Sequence, residues 1–273
     1  MKKIAWRKCM KVFISADIEG TNGISNFEET KQNAYFNKRM TQEVAAVCEG
    51  INEHSAESII FVKDAHGLGD NIDHELLPQN VLLNRAFSGH PLCMMNLLDD
   101  SFDASMATGY HSPAYSDGNP LAHTMTSKYS RITLNGKICS EFTIAYYTSL
   151  YLGVPMVLVA GDALLMQMVK ETDTDILTVE TVAGYGSSVT SVHPAKSRSL
   201  LRQTAKEALE NVENLKAKCA GKLPDMFNME ISFRKHFNAF LASYFPGVKS
   251  VDAHTISFSS KDFMEILRLL LFV

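Results

Sequence analysis

Val12-Phe13-Ile14-Ser15-Ala16-Asp17-Ile18-Glu19-Gly20 is the stretch on which the reading of this chain turns. It is an apolar run that ends abruptly in two carboxylates and a glycine. Successive side chains of a strand point to opposite faces, so Asp17 and Glu19 project to the same side. Like charges crowded there repel, and a cation between them removes the conflict. In open α/β sheets, ligands sit outside the carboxyl ends of the strands. A divalent metal site at the end of this strand is the first expectation.

Outward from that stretch, strand-like and helical patterns alternate. Tyr35 to His54 reads as a helix, with Met40, Val44, Val47, Cys48 and Ile51 at helix spacing. Ser58 to Lys63 reads as a second strand and ends in Asp64-Ala65-His66-Gly67. Asp103 to Thr108 leads into Gly109-Tyr110-His111. Arg131 to Asn135 and Lys137 to Cys139 form a predicted hairpin around Asn135-Gly136, a favoured two-residue turn. Glu141 to Leu152 is helical, and Val154 to Ala160 is a buried strand ending in Gly161-Asp162. Such alternation, with Asp, Glu or His at the strand ends, predicts an α/β fold with a mostly parallel, Rossmann-like sheet that carries the metal site.

Beyond Ala163 the texture changes. A helix to Glu171, a strand-like run from Ile176 to Val182 and one long helix from Pro194 to Lys218 come first. Two period-two runs follow, Phe227 to Phe233 and Thr255 to Phe258, and predict antiparallel pairing. The expected division is a metal-binding α/β domain over residues 11–165 and a smaller α+β domain over residues 166–273.

Composition narrows the function classes. A net charge of −4 over 273 residues argues against a nucleic-acid partner, which needs a clustered basic surface. No run of 18 apolar residues occurs, so no membrane span is expected. Met1-Lys2-Lys3 starts like an export signal, but Arg7, Lys8 and Lys11 interrupt the apolar stretch that should follow. The five cysteines are widely spaced and odd in number, which fits reduced thiols in a cytoplasmic protein.

Three histidines, His66, His111 and His123, sit in glycine-bearing segments after strands, and Glu141 opens a helix. With Asp17 and Glu19 they supply imidazole and carboxylate, the ligand set of zinc and similar divalent ions. Their spacing is too dispersed for a compact motif such as H-E-x-x-H, so the residues alone leave the ligand set open. Asp64 and Asp162 are candidates to orient ligands. His193, before Pro194, reads as a helix-start residue, and Met94-Met95 reads as core filling.

In order along nearly the whole chain, these motifs resemble the zinc-dependent D-aminopeptidase family of the bacterial dipeptide operon. The resemblance rests on Asp17-Ile18-Glu19-Gly20, Lys63-Asp64-Ala65-His66, Gly109-Tyr110-His111, Ala122-His123-Thr124-Met125, Asn135-Gly136 before Glu141, Val159-Ala160-Gly161-Asp162 and Ser191-Val192-His193-Pro194-Ala195-Lys196. It implies two Zn²⁺ per chain. Asp17 would bridge them, Glu19 and His66 would complete one, and His111 and Glu141 the other. His123 would be catalytic, as general acid or base or as nucleophile. Three carboxylates against two zinc ions leave about one net positive charge, which lowers the pKa of a bound water toward ~7. The implied activity is removal of the N-terminal, preferably D-, residue from short peptides by a homo-oligomer, a decamer in the family. Two departures stand out: the segment between His111 and His123 is one residue longer than in the family, and Asp162 is followed by Ala163 instead of a second acid. Another dinuclear hydrolase of amides or phosphoesters, or a dipeptide-binding protein, are the alternatives.

Overall fold

A computed structural model describes residues 9–31 and 33–273. The export-signal reading of Met1-Lys2-Lys3, Arg7 and Lys8 lies outside the described residues. In chain order the elements are β1 (Lys11–Ala16), α1 (Ala34–His54), β2 (Ile59–Asp64), β3 (Val81–Asn84), β4 (Ala104–Tyr110), β5 (Tyr129–Leu134) and β6 (Lys137–Ile138). Then come α2 (Glu141–Tyr151), β7 (Met156–Asp162), α3 (Ala163–Thr172), β8 (Leu177–Tyr185), β9 (Ser188–Ser191), α4 (Pro194–Ala208) and α5 (Val212–Lys218). The chain closes with β10 (Phe227–Phe233), α6 (His236–Ala242), β11 (Lys249–Ser250), β12 (Thr255–Ser260) and α7 (Phe263–Phe272).

The expected mostly parallel sheet is present. Its strand order is β3-β2-β1-β4-β7-β8-β9, and among the described residues only the β8–β9 pairing is antiparallel. β1 lies between β2 and β4 and all of it from Val12 to Ala16 is buried, which is why its sequence is a continuous apolar run with little alternation. α1 and α4 cover one face through Val44, Val47, Ile51, Leu201 and Ala205. A second sheet, β11-β12-β10-β5-β6, is antiparallel, and Met229, Ile231 and Ile132 enter the other apolar cluster with Phe142 of α2.

The two sheets interleave along the chain. β5 and β6 precede residue 165 yet pair with β10, while β8 and β9 follow it and extend the parallel sheet. One sequence expectation needs correction: the helix read from Pro194 to Lys218 is two helices, α4 and α5. The turn between them allows Leu209, Val212 and Leu215 to enter the core together. The hairpin at Asn135-Gly136 forms as read, with both residues at positive φ (51° and 80°), the geometry of a tight two-residue connection. Among the described residues, no helix is long and apolar enough to cross a membrane.

Where α1 meets α4, a carboxylate is buried. Glu43 accepts a 2.9 Å hydrogen bond from Ser197 Oγ, with Arg39 and Arg198 nearby. Burial outweighs these stabilising contacts and pushes Glu43 up to about 7 from its ordinary 4.5. Between those two values the folded chain holds a proton that the unfolded chain has released, so stability falls as pH rises through that window. The cost above pH 7 is about 3 kcal/mol, at 1.36 kcal/mol per unit of displacement. Glu43→Gln should therefore flatten the decline in melting temperature from pH 5 to pH 8 and raise it at pH 8. Parallel wild-type and variant melting curves across that range would remove this role from Glu43.

Candidate metal centre

The carboxyl ends of β1, β2, β4 and β7 meet at one edge of the parallel sheet, and their polar residues are brought together there. The motif glycines make this convergence fit. A Cβ on Gly20 would lie 1.9 Å from the Tyr110 carbonyl oxygen, and one on Gly161 only 1.8 Å from the same atom. That carbonyl is held between two strand ends that no side chain could separate without displacing them. Gly20 N donates to Gly109 O at 2.8 Å and Asp17 N to Thr108 O at 2.8 Å, so the turn after β1 stays bonded to β4.

β1 ends at Ala16, yet Asp17 and Glu19 still reach the same cluster. His66 Nδ1 lies 3.0 Å from Glu19 Oε2 and 3.3 Å from Asp17 Oδ1. On the other side of Asp17, His111 Nε2 lies 3.5 Å from its Oδ2 and 3.4 Å from Glu141 Oε2. The two oxygens of Asp17 thus face two separate groups of potential ligands, Glu19 with His66 and His111 with Glu141. Within each of these triads the donor atoms lie within 4.8 Å of one another, and Glu19, His111 and His123 form a third such group. Every one of the six residues singled out from the sequence is in the cluster.

Backbone contacts set the direction of the donors. His111 Nδ1 donates to Ser112 O at 2.9 Å and His123 Nδ1 to Leu121 O at 2.8 Å. A carbonyl can only accept, so each neutral ring keeps its proton on Nδ1 and turns the Nε2 lone pair toward the cluster. Glu141 begins α2, whose N-cap Ser140 forms a reciprocal capping box with Thr143. Its Oε1 accepts from Met125 N at 2.6 Å. His123 Nε2 stands 3.6 Å from that Oε1, and its ring stacks on His111 with centroids 4.4 Å apart and planes at 15°. The edge of Phe27 packs against the His123 ring at 5.5 Å.

Charge and burial work against each other here. Burial, followed by the neighbouring Glu19 charge, holds Asp17 well above the usual carboxylate range. Burial also works to raise Glu19, but the hydrogen bond and charge of His66 prevail and hold it below its ordinary value. Burial disfavours charge on His66, yet its bonds to Asp17 and Glu19 push it up to about 10. His111 is raised well above its ordinary value against the same burial, chiefly by Glu141. Three buried carboxylates demand compensating positive charge, which divalent ions supply while displacing protons from the imidazoles. Asp17 Oδ2 and His111 Nε2 are buried and make no hydrogen bond among the described residues. Buried polar atoms are rarely left so, and lone pairs on carboxylate oxygen and imidazole nitrogen are what zinc accepts. The residues fit the metal.

Asp64 supports the His66 side. It accepts from Asn71 N at 2.6 Å, Ile72 N at 2.9 Å and Asn71 Nδ2 at 3.0 Å, and Asn71 Nδ2 in turn donates to His66 O at 2.8 Å. His193 is the N-cap of α4, as its place before Pro194 indicates. The cluster opens on a cavity of 720 Å³ with Phe27, Phe87, Met94 and Met125 on its walls. These wall residues were not legible as a site. Met94 reads as core filling in the sequence and is indeed buried, but it also faces the cavity. The one local sign at Met125 is conformational, a positive φ of 61°, which the sequence does not display.

Comparison with known proteins bears on the whole chain. The Peptidase M55 family model, described as D-aminopeptidase, matches residues 10–272. A D-aminopeptidase of Bacillus subtilis (strain 168) is 28% identical over 272 residues, 96% of each chain. Among solved structures, the Zn-dependent D-aminopeptidase DppA from Bacillus subtilis, described as a self-compartmentalizing protease, superposes with a TM-score of 0.87 at 25% identity over 96% of each chain.

Proposed function

The chain belongs to the M55 peptidase family of D-aminopeptidases, and from that premise we propose that it removes the N-terminal D-residue from short peptides at a two-zinc centre. One observation carries the metal count: the oxygens of Asp17 face opposite ligand pairs, Oδ1 toward His66 and Oδ2 toward His111. In this reading Asp17 would be shared by two ions, with Glu19 and His66 holding one and His111 and Glu141 holding the other. Zinc held there would supply a Lewis acid for the scissile carbonyl and a water whose pKa is lowered toward ~7. The protein's own part is proton transfer and orientation. His123, whose Nδ1 donates to Leu121 O, turns its Nε2 to the cavity and would take the proton of the attacking water there and return it to the leaving amine. Glu141 Oε1, 3.6 Å away, stabilises the imidazolium between those events. The apolar walls formed by Phe27, Phe87, Met94 and Met125 hold the substrate side chain and exclude bulk water.

Zinc-loaded protein assayed on D-Ala-D-Ala, L-Ala-L-Ala and p-nitrophenyl phosphate tests this reading. Hydrolysis of the D-peptide should dominate, vanish with a chelator and return with zinc. Equal rates on the L-peptide would contradict the stereochemical preference, and faster cleavage of the phosphate ester would favour a different dinuclear hydrolase.

The proposal extends to assembly. The B. subtilis structure is of a self-compartmentalizing protease, and we assign this chain a homo-oligomeric, decameric shell that admits only short peptides. Phe237, Phe240, Leu241 and Tyr244, on or just after α6, are each more than half exposed, an apolar surface of the kind that subunit contacts cover. Light scattering at micromolar concentration should give a mass far above the 30.3 kDa of one chain. A monomer would remove the closed-shell basis of size selection.

A further inference from the structure

Asp162, the last residue of β7, is fully buried and among the described residues accepts four hydrogen bonds, all from neutral donors. Leu165 N reaches its Oδ1 at 2.9 Å, the ordinary bond of a helix N-cap. That one bond accounts for a capping residue and for nothing more. The other three donors come from the segment between His111 and His123. Ser112 N reaches Oδ2 at 2.5 Å, Ser112 Oγ reaches Oδ1 at 2.5 Å, and Asn119 Nδ2 reaches Oδ2 at 3.3 Å.

Each of these contacts continues to a group in the metal centre. Ser112 O accepts the Nδ1 proton of His111. Asn119 Nδ2 also donates to the backbone oxygen of Glu19 at 3.2 Å, while its Oδ1 accepts from Leu121 N at 2.9 Å. Leu121 O, in turn, accepts the Nδ1 proton of His123. The polarity of this chain starts at Asp162. A carboxylate only accepts, so Asn119 must turn its NH2 toward Asp162 and Glu19 and its oxygen toward Leu121. The three groups at the far ends, Glu19, His111 and His123, are the same three whose donor atoms converge within 4.8 Å.

We propose that Asp162 is a positioning residue that sets Glu19, His111 and His123 together, through Ser112 and Asn119. The inference rests on the two-zinc reading of the same site. Because Glu19 and His111 serve different ions in that reading, Asp162 acts on both, whereas Asp64 acts only on the His66 side.

Asp162→Asn tests it. Asparagine caps helices as well as aspartate, so α3 and the fold are retained, but an amide offers donors where the site supplies only donors. Chelator-competition measurements should give zinc affinities reduced roughly 10–100-fold at both sites, the effect expected of an outer partner of metal ligands. The visible absorption of the cobalt-substituted protein should shift, since ligand geometry has changed. Asn119→Ala, which spares the Ser112 bonds, should weaken the ion held by Glu19 and leave the ion held by His111 and Glu141 near its wild-type affinity. A folded Asp162→Asn protein with both affinities and its cobalt spectrum unchanged overturns the inference. If Asp162→Asn does not fold, unchanged zinc affinity in Asn119→Ala overturns it. A wild-type protein that binds no zinc overturns the two-zinc reading and the inference with it; wild-type binding with unaffected variants overturns the inference alone.

Discussion

Asp17→Asn should abolish metal binding at both halves of the cluster together, and with it all hydrolysis. The side chain has one oxygen near His66 and the other near His111. An asparagine must turn its NH2 toward one of them and offers only a neutral oxygen to the other. Removing a shared anionic ligand should cost each ion more than the roughly 10–100-fold that loss of an outer partner costs. Glu19→Gln, by comparison, should weaken mainly the ion it shares with His66. The fold should survive the first change, because burial and the Glu19 charge already make ionised Asp17 unfavourable without a cation. Elemental analysis of metal per chain, with thermal melting as the control, decides the outcome. Full occupancy in Asp17→Asn would end the bridging role.

His123→Ala should separate chemistry from binding. On the proposed assignment it keeps both metals while kcat falls by roughly 10²–10⁴, the contribution typical of a positioned general acid–base group. His66→Ala and His111→Ala should instead lose metal, with activity falling as the consequence. The test is sharp because His123 Nε2 also lies 3.9 Å from Glu19 Oε1, close enough for the ring to belong to a ligand group. Loss of one metal in His123→Ala would make it a ligand. Retained metal with near-normal kcat would leave proton transfer to another residue.

What the sequence made legible was local. Asp17 and Glu19 after β1, His66 after β2, His111 after β4 and Asp162 at the end of β7 each follow a short apolar run, and parallel strands put such ends on one edge. The antiparallel partners were harder to place. Ile132 of β5 lies opposite Ile231 of β10, about a hundred residues away, and nothing near Ile132 indicates which sheet it joins. The edge strand β3 is only four residues long, too short for a clear period. The break between α4 and α5 depends on Leu209 and Val212 reaching a common core, a tertiary requirement that helix periodicity does not reveal. Asn119 was hidden for a related reason. It lies in the segment between His111 and His123, and only the folded chain brings it between Glu19 and Asp162. The cavity walls come from Phe27, Phe87, Met94 and Met125, which are distant in sequence and ordinary in type.

In the two-zinc reading one carboxylate, Asp17, is common to both ions. Anomalous diffraction at the zinc edge from crystals of zinc-loaded protein tests it most directly. Two peaks per chain are expected on either side of the Asp17 carboxylate, one beside Glu19 and His66 and the other beside His111 and Glu141. A single peak, or a pair of peaks that does not share Asp17, would contradict it.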